Sequence, residues 1–129
     1  MRRWFSFLLL IFFLAGCTAS NEQENSYRQI SMDEAVTMME EESNYIILDV
    51  RTSEEFRERH IPYAINIPNE TISSEEIQEL PDKEQLIFVY CRSGNRSKQA
   101  SGKLAELGYT NIVEIGGIND WIGDTVSEP

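Results

Sequence analysis

The sequence predicts an α/β domain built on a mostly parallel sheet with helices on both faces. Three observations lead there. Strand-like and helix-like segments alternate along the chain, the order that generates parallel sheets. Two of the strand segments, Tyr45 to Val50 and Leu86 to Tyr90, are nearly unbroken apolar runs, as expected of strands covered on both faces. A chain of 129 residues has room for one compact domain around one core.

The chain opens with a segment that does not belong to this domain. Arg2 and Arg3 make a basic start, and Trp4 to Leu14 is an apolar run ending at small residues, the pattern of an export signal over residues 1–16. A bilayer-spanning helix needs about 20 apolar residues, and this run stops short of that. Leu14-Ala15-Gly16-Cys17 matches the lipobox of bacterial lipoproteins at every position. That resemblance implies cleavage before Cys17, which becomes the new N-terminus and is diacylated, with palmitate as an expected fatty acid. The protein is then expected at the cell membrane, lipid-anchored and facing the extracytoplasmic side, because two or more acyl chains hold a protein stably at a bilayer. The twin arginines lack a preceding polar residue and are followed by a very apolar segment, which favours Sec over Tat export. Residues 17–26, rich in Asn, Glu, Gln and Ser, have the composition of a disordered tether reaching about 30 Å.

From Tyr27 to Pro129 the elements read in order. Arg28 to Ile30 is a short strand. Ser31 and Glu34 have the spacing of a capping box, and Met32, Ala35, Val36 and Met39 form one stripe of the helix that follows. After the strand Tyr45 to Val50 comes a short helix, Ser53 to Arg59, and a strand, Ala64 to Ile67, stopped by Pro68. A Ser-started helix is expected over Ser74 to Leu80, ended by Pro81. The strand Leu86 to Tyr90 leads to a long helix over Ser97 to Leu107 that closes at Gly108 in a left-handed conformation. Ile112 to Ile115 is a weaker strand. Trp121 is expected in the core, closing the sheet edge after a Gly116-Gly117 turn.

Charge narrows the choice of partner. Eleven Lys and Arg, two of them in the leader, face 22 Asp and Glu, for a net charge of −11 over the whole chain. Nucleic acid and anionic lipid head groups are therefore disfavoured as surface partners. A single histidine and one cysteine beyond Cys17 cannot furnish a metal's inner ligands, so neither a metal nor another cofactor is expected.

The chemistry points to Cys91. With Cys17 acylated, Cys91 has no disulfide partner in an exported chain, which marks it as a reactive thiol. It ends a buried strand, where open α/β sheets collect their chemistry, and Asp49-Val50-Arg51 ends another. In Cys91-Arg92-Ser93-Gly94-Asn95-Arg96-Ser97 the backbone N–H groups can turn toward the sulfur. The following helix N-terminus and the charges of Arg92 and Arg96 would further favour thiolate over thiol. Gly94 suits a positive φ, and Ser97 suits a helix cap.

These residues resemble the rhodanese-like family over about Tyr27 to Trp121. The agreement covers Leu48-Asp49-Val50-Arg51, Glu55-Phe56, His60-Ile61-Pro62, Ala64 to Pro68, Val89 to Ser97, and Gly116-Gly117-Ile118 with Trp121. The glycines usual before the histidine and after the proline are replaced by Arg59 and Tyr63, the latter expected at the mouth of the site.

The resemblance implies a five-stranded sheet and a persulfide on Cys91. Sulfane sulfur would pass from thiosulfate or a persulfide donor to a thiol or cyanide acceptor. The amides of Arg92, Ser93, Gly94, Asn95 and Arg96 would stabilise the persulfide, and Arg92 or Arg96 would hold the sulfonate. Asp49, Arg51 and Ser97 would support the loop, and His60 would be structural. A monomer is expected.

Two alternatives stand beside this reading. One is a non-catalytic rhodanese-like module that senses oxidants or binds a partner through Cys91. The other is a phosphatase or arsenate reductase. Dual-specificity cell-cycle phosphatases place five residues between cysteine and arginine, whereas four separate Cys91 from Arg96.

Overall fold

The computed structural model describes residues 26–129. The expected leader, the Cys17 lipid site and nearly all of the tether lie outside the described residues. The elements run β1 (Arg28–Gln29), α1 (Met32–Glu41), β2 (Tyr45–Asp49), α2 (Ser53–Glu58), β3 (Ile65–Asn66), β4 (Leu86–Cys91), α3 (Asn95–Glu106) and β5 (Ile112–Gly117). Short 3-10 turns occupy Asn69–Thr71 and Ile118–Asp120.

The five strands form one sheet in the order β1-β5-β4-β2-β3, and every strand pair is parallel. β4 lies at its centre, and all six of its residues are buried. Its side chains alternate between faces, as a period of two requires. Phe88 and Tyr90 pack with Met32 and Ala35 of α1 and Phe56 of α2, whereas Ile87, Val89 and Cys91 pack with Ala100 and Leu104 of α3. Helices thus cover both faces, and Cys91 belongs to the α3 side. β5 follows the same alternation, with Val113 and Ile115 facing α1 and Ile112 facing α3.

The helix ends follow local side-chain chemistry. The Ser31 hydroxyl accepts from Glu34 N at 3.1 Å at the start of α1, and a full reciprocal capping box, Thr52 with Glu55, opens α2. α3 ends as expected, with Gly108 at φ 96° and its N–H bonded to the Ala105 carbonyl.

Three expectations are corrected. No helix forms over Ser74 to Leu80. The Ser73 hydroxyl instead takes the Glu75 N–H in a tight local turn, and Leu80 N–H bonds to the Ile77 carbonyl. Seven residues offer little beyond the cost of helix nucleation, and Pro81 steers Leu80 away from helical geometry. The last long helix starts at Asn95 rather than Ser97, because left-handed Gly94 (φ 113°) serves as its N-cap without any side-chain cap. Trp121 is only half-buried against the α1 face, with its indole N–H donated to the Asp124 carbonyl.

α3 also contains Ser101, whose buried hydroxyl has no hydrogen-bond partner among the described residues. Burying an unpaired hydroxyl costs about 1 kcal/mol or more. Ser101→Ala should therefore stabilise the fold by about 1 kcal/mol, read as a higher urea midpoint at unchanged slope. An unchanged or lower midpoint would show that the hydroxyl is satisfied in solution.

Candidate active site

The site is made by the abrupt change of direction between β4 and α3. Cys91 is the last residue of β4, 1% exposed, and only three residues separate it from the first turn of α3. Left-handed Gly94 makes this reversal possible and brings its N–H to 3.0 Å from the Cys91 sulfur. A residue with a Cβ resists that conformation.

The second glycine that matters is Gly117, at the end of β5 opposite Cys91. A Cβ placed there would fall 2.0 Å from the Arg92 carbonyl oxygen and 2.6 Å from Ser93 N. The loop can rest on β5 only because Gly117 presents bare backbone.

Burial pushes the Cys91 thiol pKa up. The Ser97 hydroxyl and the backbone N–H groups of Ser97, Gly94 and Ser93 outweigh that effect, so the net shift is downward. The groups that favour the thiolate are thus short-range donors fixed by the loop and the first turn of α3.

The two loop arginines have separate fates. Arg96 makes a bidentate pair with Glu55 of α2, Nη1 to Oε1 at 2.6 Å and Nη2 to Oε2 at 3.0 Å. The Arg96 hydrogen bond is the largest cause that holds the Glu55 carboxyl at about 2. Arg96, expected from the sequence as one of two candidates to hold an anion, has its planar fork matched by the Glu55 carboxylate in this structure. Arg92 is exposed and has no ion-pair partner among the described residues. Ser93 and Asn95 are also exposed.

The remaining expected residues stand around this loop rather than on it. Asp49 and Arg51 form a buried pair at 2.7 Å at the end of β2, and Asp49 also accepts the Arg51 backbone N–H at 2.9 Å. Arg51 reaches across to the Arg59 carbonyl. The pair therefore closes the β2–α2 turn and positions α2, which carries Glu55. Arg51 also lies over the ring of Tyr90 and lines one cavity with Glu55 and Arg92. Ser97 lies within α3 rather than capping it, with its hydroxyl 3.3 Å from the Cys91 sulfur.

His60 stacks on Phe56 with ring centroids 3.7 Å apart, and its Nδ1 lies 2.7 Å from the Phe56 carbonyl. None of these partners belongs to the cysteine loop. Tyr63 is 97% exposed and holds a positive φ of 68°. It borders a groove with Val36, Met39, Tyr45 and Trp121 rather than the mouth of the site. The loop that carries it runs along the α1 face, away from the α3 side to which the sulfur belongs.

Two site residues escaped the sequence reading. Glu55 was visible only as half of a dipeptide, and its tie to Arg96 spans 41 residues. Glu114 of β5 is 3% exposed and accepts from the Ser97 hydroxyl at 2.6 Å and from Gly116 N at 2.8 Å. Its signal was a charged residue on the α3 face of a buried strand.

A parallel α/β sheet with one cysteine cradled by main-chain donors at the carboxyl end of its central strand defines a class of domains built around a loop thiol. Within that class the chain belongs to the rhodanese-like domain family, whose model matches residues 31–124. It is 38% identical over 73 residues to "Thiosulfate sulfurtransferase PspE" of Escherichia coli, covering 57% of this chain and 70% of that protein. It is 31% identical over 111 residues to "Thiosulfate sulfurtransferase 18" of Arabidopsis thaliana, covering 77% and 80% respectively. Among solved structures, a "rhodanese with anions from E. coli" superposes with a TM-score of 0.59 at 37% identity, covering 64% of this chain and 98% of that one.

Gly117→Ala tests the fit of the loop on its support. It should displace the loop and slow alkylation of Cys91 at neutral pH by about tenfold or more, the effect of one pKa unit or more, while the far-UV circular dichroism stays unchanged. Wild-type reactivity in this variant would mean that the loop geometry does not depend on that contact.

Proposed function

We propose that the protein is a thiosulfate sulfurtransferase working through a persulfide on Cys91. The single observation that carries this reading is the set of main-chain N–H groups aimed at one sulfur, with Gly94 N at 3.0 Å. Such a cradle favours an anion, whether a thiolate or the terminal sulfur of a persulfide.

In the first half-reaction the Cys91 thiolate attacks the sulfane sulfur of thiosulfate. A new S–S bond forms, the S–S bond of thiosulfate breaks, and sulfite leaves with the electron pair. In the second, a nucleophilic acceptor, cyanide or a thiolate, attacks the outer sulfur and Cys91 departs as thiolate. No external oxidant or reductant is required.

Arg92 is the residue proposed to meet the sulfonate. The net charge of −11 repels anions at a distance, so capture of a dianion needs a local cation not already neutralised. Arg96 fails that condition because Glu55 holds it, and its part is to fasten the loop to α2. The names of the Escherichia coli and Arabidopsis relatives support thiosulfate as donor.

The protein should make thiocyanate from thiosulfate and cyanide. Cys91→Ser should abolish this without unfolding the chain, and Arg92→Ala should raise the KM for thiosulfate several-fold. Turnover that survives Cys91→Ser would overturn the assignment, and an unchanged KM would remove Arg92 from the donor site.

The lipobox motif Leu14 to Cys17 supports the further proposal that this activity works at the outer face of a membrane, tethered through Cys17. Cys17→Ser should move the protein out of the fraction that incorporates labelled palmitate. Continued labelling of that variant would refute the anchor.

A further inference from the structure

Behind the cysteine loop the Cys91 thiol continues into two further polar side chains, Ser97 and Glu114, and sulfur transfer by the loop gives Glu114 no part. The Cys91 sulfur is 3.3 Å from Ser97 Oγ, and Ser97 Oγ is 2.6 Å from Glu114 Oε1. All three residues are buried. Glu114 Oε1 is held in place by the Gly116 N–H at 2.8 Å. The three come together because α3 folds back over the sheet face to which Cys91 and Glu114 both belong.

A hydroxyl has one hydrogen to give. Ser97 has three acceptors within reach: Glu114 Oε1 at 2.6 Å, the Gly94 carbonyl at 2.9 Å and the Gly116 carbonyl at 3.4 Å. An ionised carboxylate at the shortest distance wins that hydrogen. The Cys91 sulfur then faces a lone pair on Ser97, so the S–H donates to Ser97. While Cys91 carries its proton, Ser97 thus accepts from the S–H, and the part its hydroxyl plays in lowering the Cys91 pKa belongs to the thiolate state alone. Ser97 can stabilise the thiolate only if its hydrogen turns to the sulfur, and for this Glu114 must become neutral.

We propose that Glu114 is a positioning residue that receives, through Ser97, the proton Cys91 releases on becoming a nucleophile. This rests on the reading of Cys91 as the sulfur-transfer nucleophile. The Cys91 S–H and Ser97 O–H bonds break as new O–H bonds form at Ser97 and Glu114. One negative charge moves from carboxylate to sulfur, and the hydrogen newly placed on Ser97 points back at the thiolate. Nothing is oxidised or reduced. When the acceptor has taken the outer sulfur and Cys91 is again a free thiolate, the same path returns the proton.

The surroundings suit this role. Glu114 lines an open cleft of about 690 Å³ together with Lys98, Asp33, Glu34 and Asp120, so its proton can exchange with solvent without passing the sulfur. On the Cys91 side Arg96, which feels the charge of the sulfur, is already paired with Glu55.

The test is the pH dependence of Cys91 alkylation by iodoacetamide in the full-length protein, read by mass spectrometry on the peptide containing Cys91. Two groups that share a proton titrate as a pair, with two apparent midpoints separated by more than about one pH unit. The wild type should therefore show two steps. Glu114→Gln keeps an oxygen to accept from Ser97 and Gly116 but cannot take a proton, and it should collapse the profile to one step. Ser97→Ala, which leaves the carboxylate but removes the link, should do the same and decides the matter if Glu114→Gln fails to fold.

A single step in the wild type, or two steps that persist in a folded variant, overturns the relay. Thiocyanate formation measured on the same wild-type sample separates the two claims. Turnover with a single-step titration leaves the sulfur-transfer reading standing and removes the relay. Two steps without turnover do the reverse.

Discussion

The structure depends on the convergence of several main-chain N–H groups on one sulfur atom. Those dipoles are aimed by covalent geometry. β4 must end at Cys91, Gly94 must take a left-handed conformation, and α3 must begin at once, or the Ser93, Gly94 and Ser97 amides point elsewhere. The centre of the sheet supplies the rigidity this needs, since β4 is buried along its whole length and hydrogen-bonded on both edges. Gly117 then lets β5 approach the loop so closely that any side chain there would strike the Arg92 carbonyl. Fold and site are thus one arrangement, in which the parallel sheet brings strand ends together and the loop converts one of them into an anion cradle.

Charges play a secondary and divided part. In an acidic protein a guanidinium group that simply lay near the sulfur would attract carboxylates from its own chain, and Arg96 has found one in Glu55. The pair anchors the loop to α2, and the buried Asp49–Arg51 pair fixes α2 in turn. Arg92 remains outside this network and faces solvent. The donors around the sulfur are dipoles, and of the two loop arginines only Arg92 is exposed without an ion-pair partner among the described residues. Glu114 adds a third layer, a carboxylate close enough to take a proton yet separated from the sulfur by the Ser97 hydroxyl.

Much of this was legible in the sequence, and the exceptions share a cause. The strands at Tyr45 and Leu86 declared themselves as apolar runs, and Gly94 and Gly108 were placed correctly as positive-φ residues because a tight loop and a helix end each leave a local signature. The parallel five-stranded sheet and the family followed from motifs spread over the whole domain. What could not be read was pairing across distance. Arg96 looked like a free cation until the fold brought Glu55 to it, and Ser97 looked like a cap because serine before a helix usually is one. Glu114 did not stand out within the strand Ile112 to Ile115, and only the position of β5 under Ser97 brings it to the site. The Ser74 to Leu80 segment failed for the opposite reason. Its local helix signals were real, but they were too few to nucleate a turn against Pro81 and the Ser73 turn.

The central claim is that Cys91 carries sulfur covalently. The most direct measurement is the mass of the peptide containing Cys91 after the protein has been incubated with thiosulfate and separated from it without reductant. The account predicts a gain of one sulfur atom on that peptide, removed on adding cyanide with release of thiocyanate. A peptide that stays unmodified while the protein turns over thiosulfate would contradict it, because transfer would then proceed without the intermediate for which the amide cradle is built.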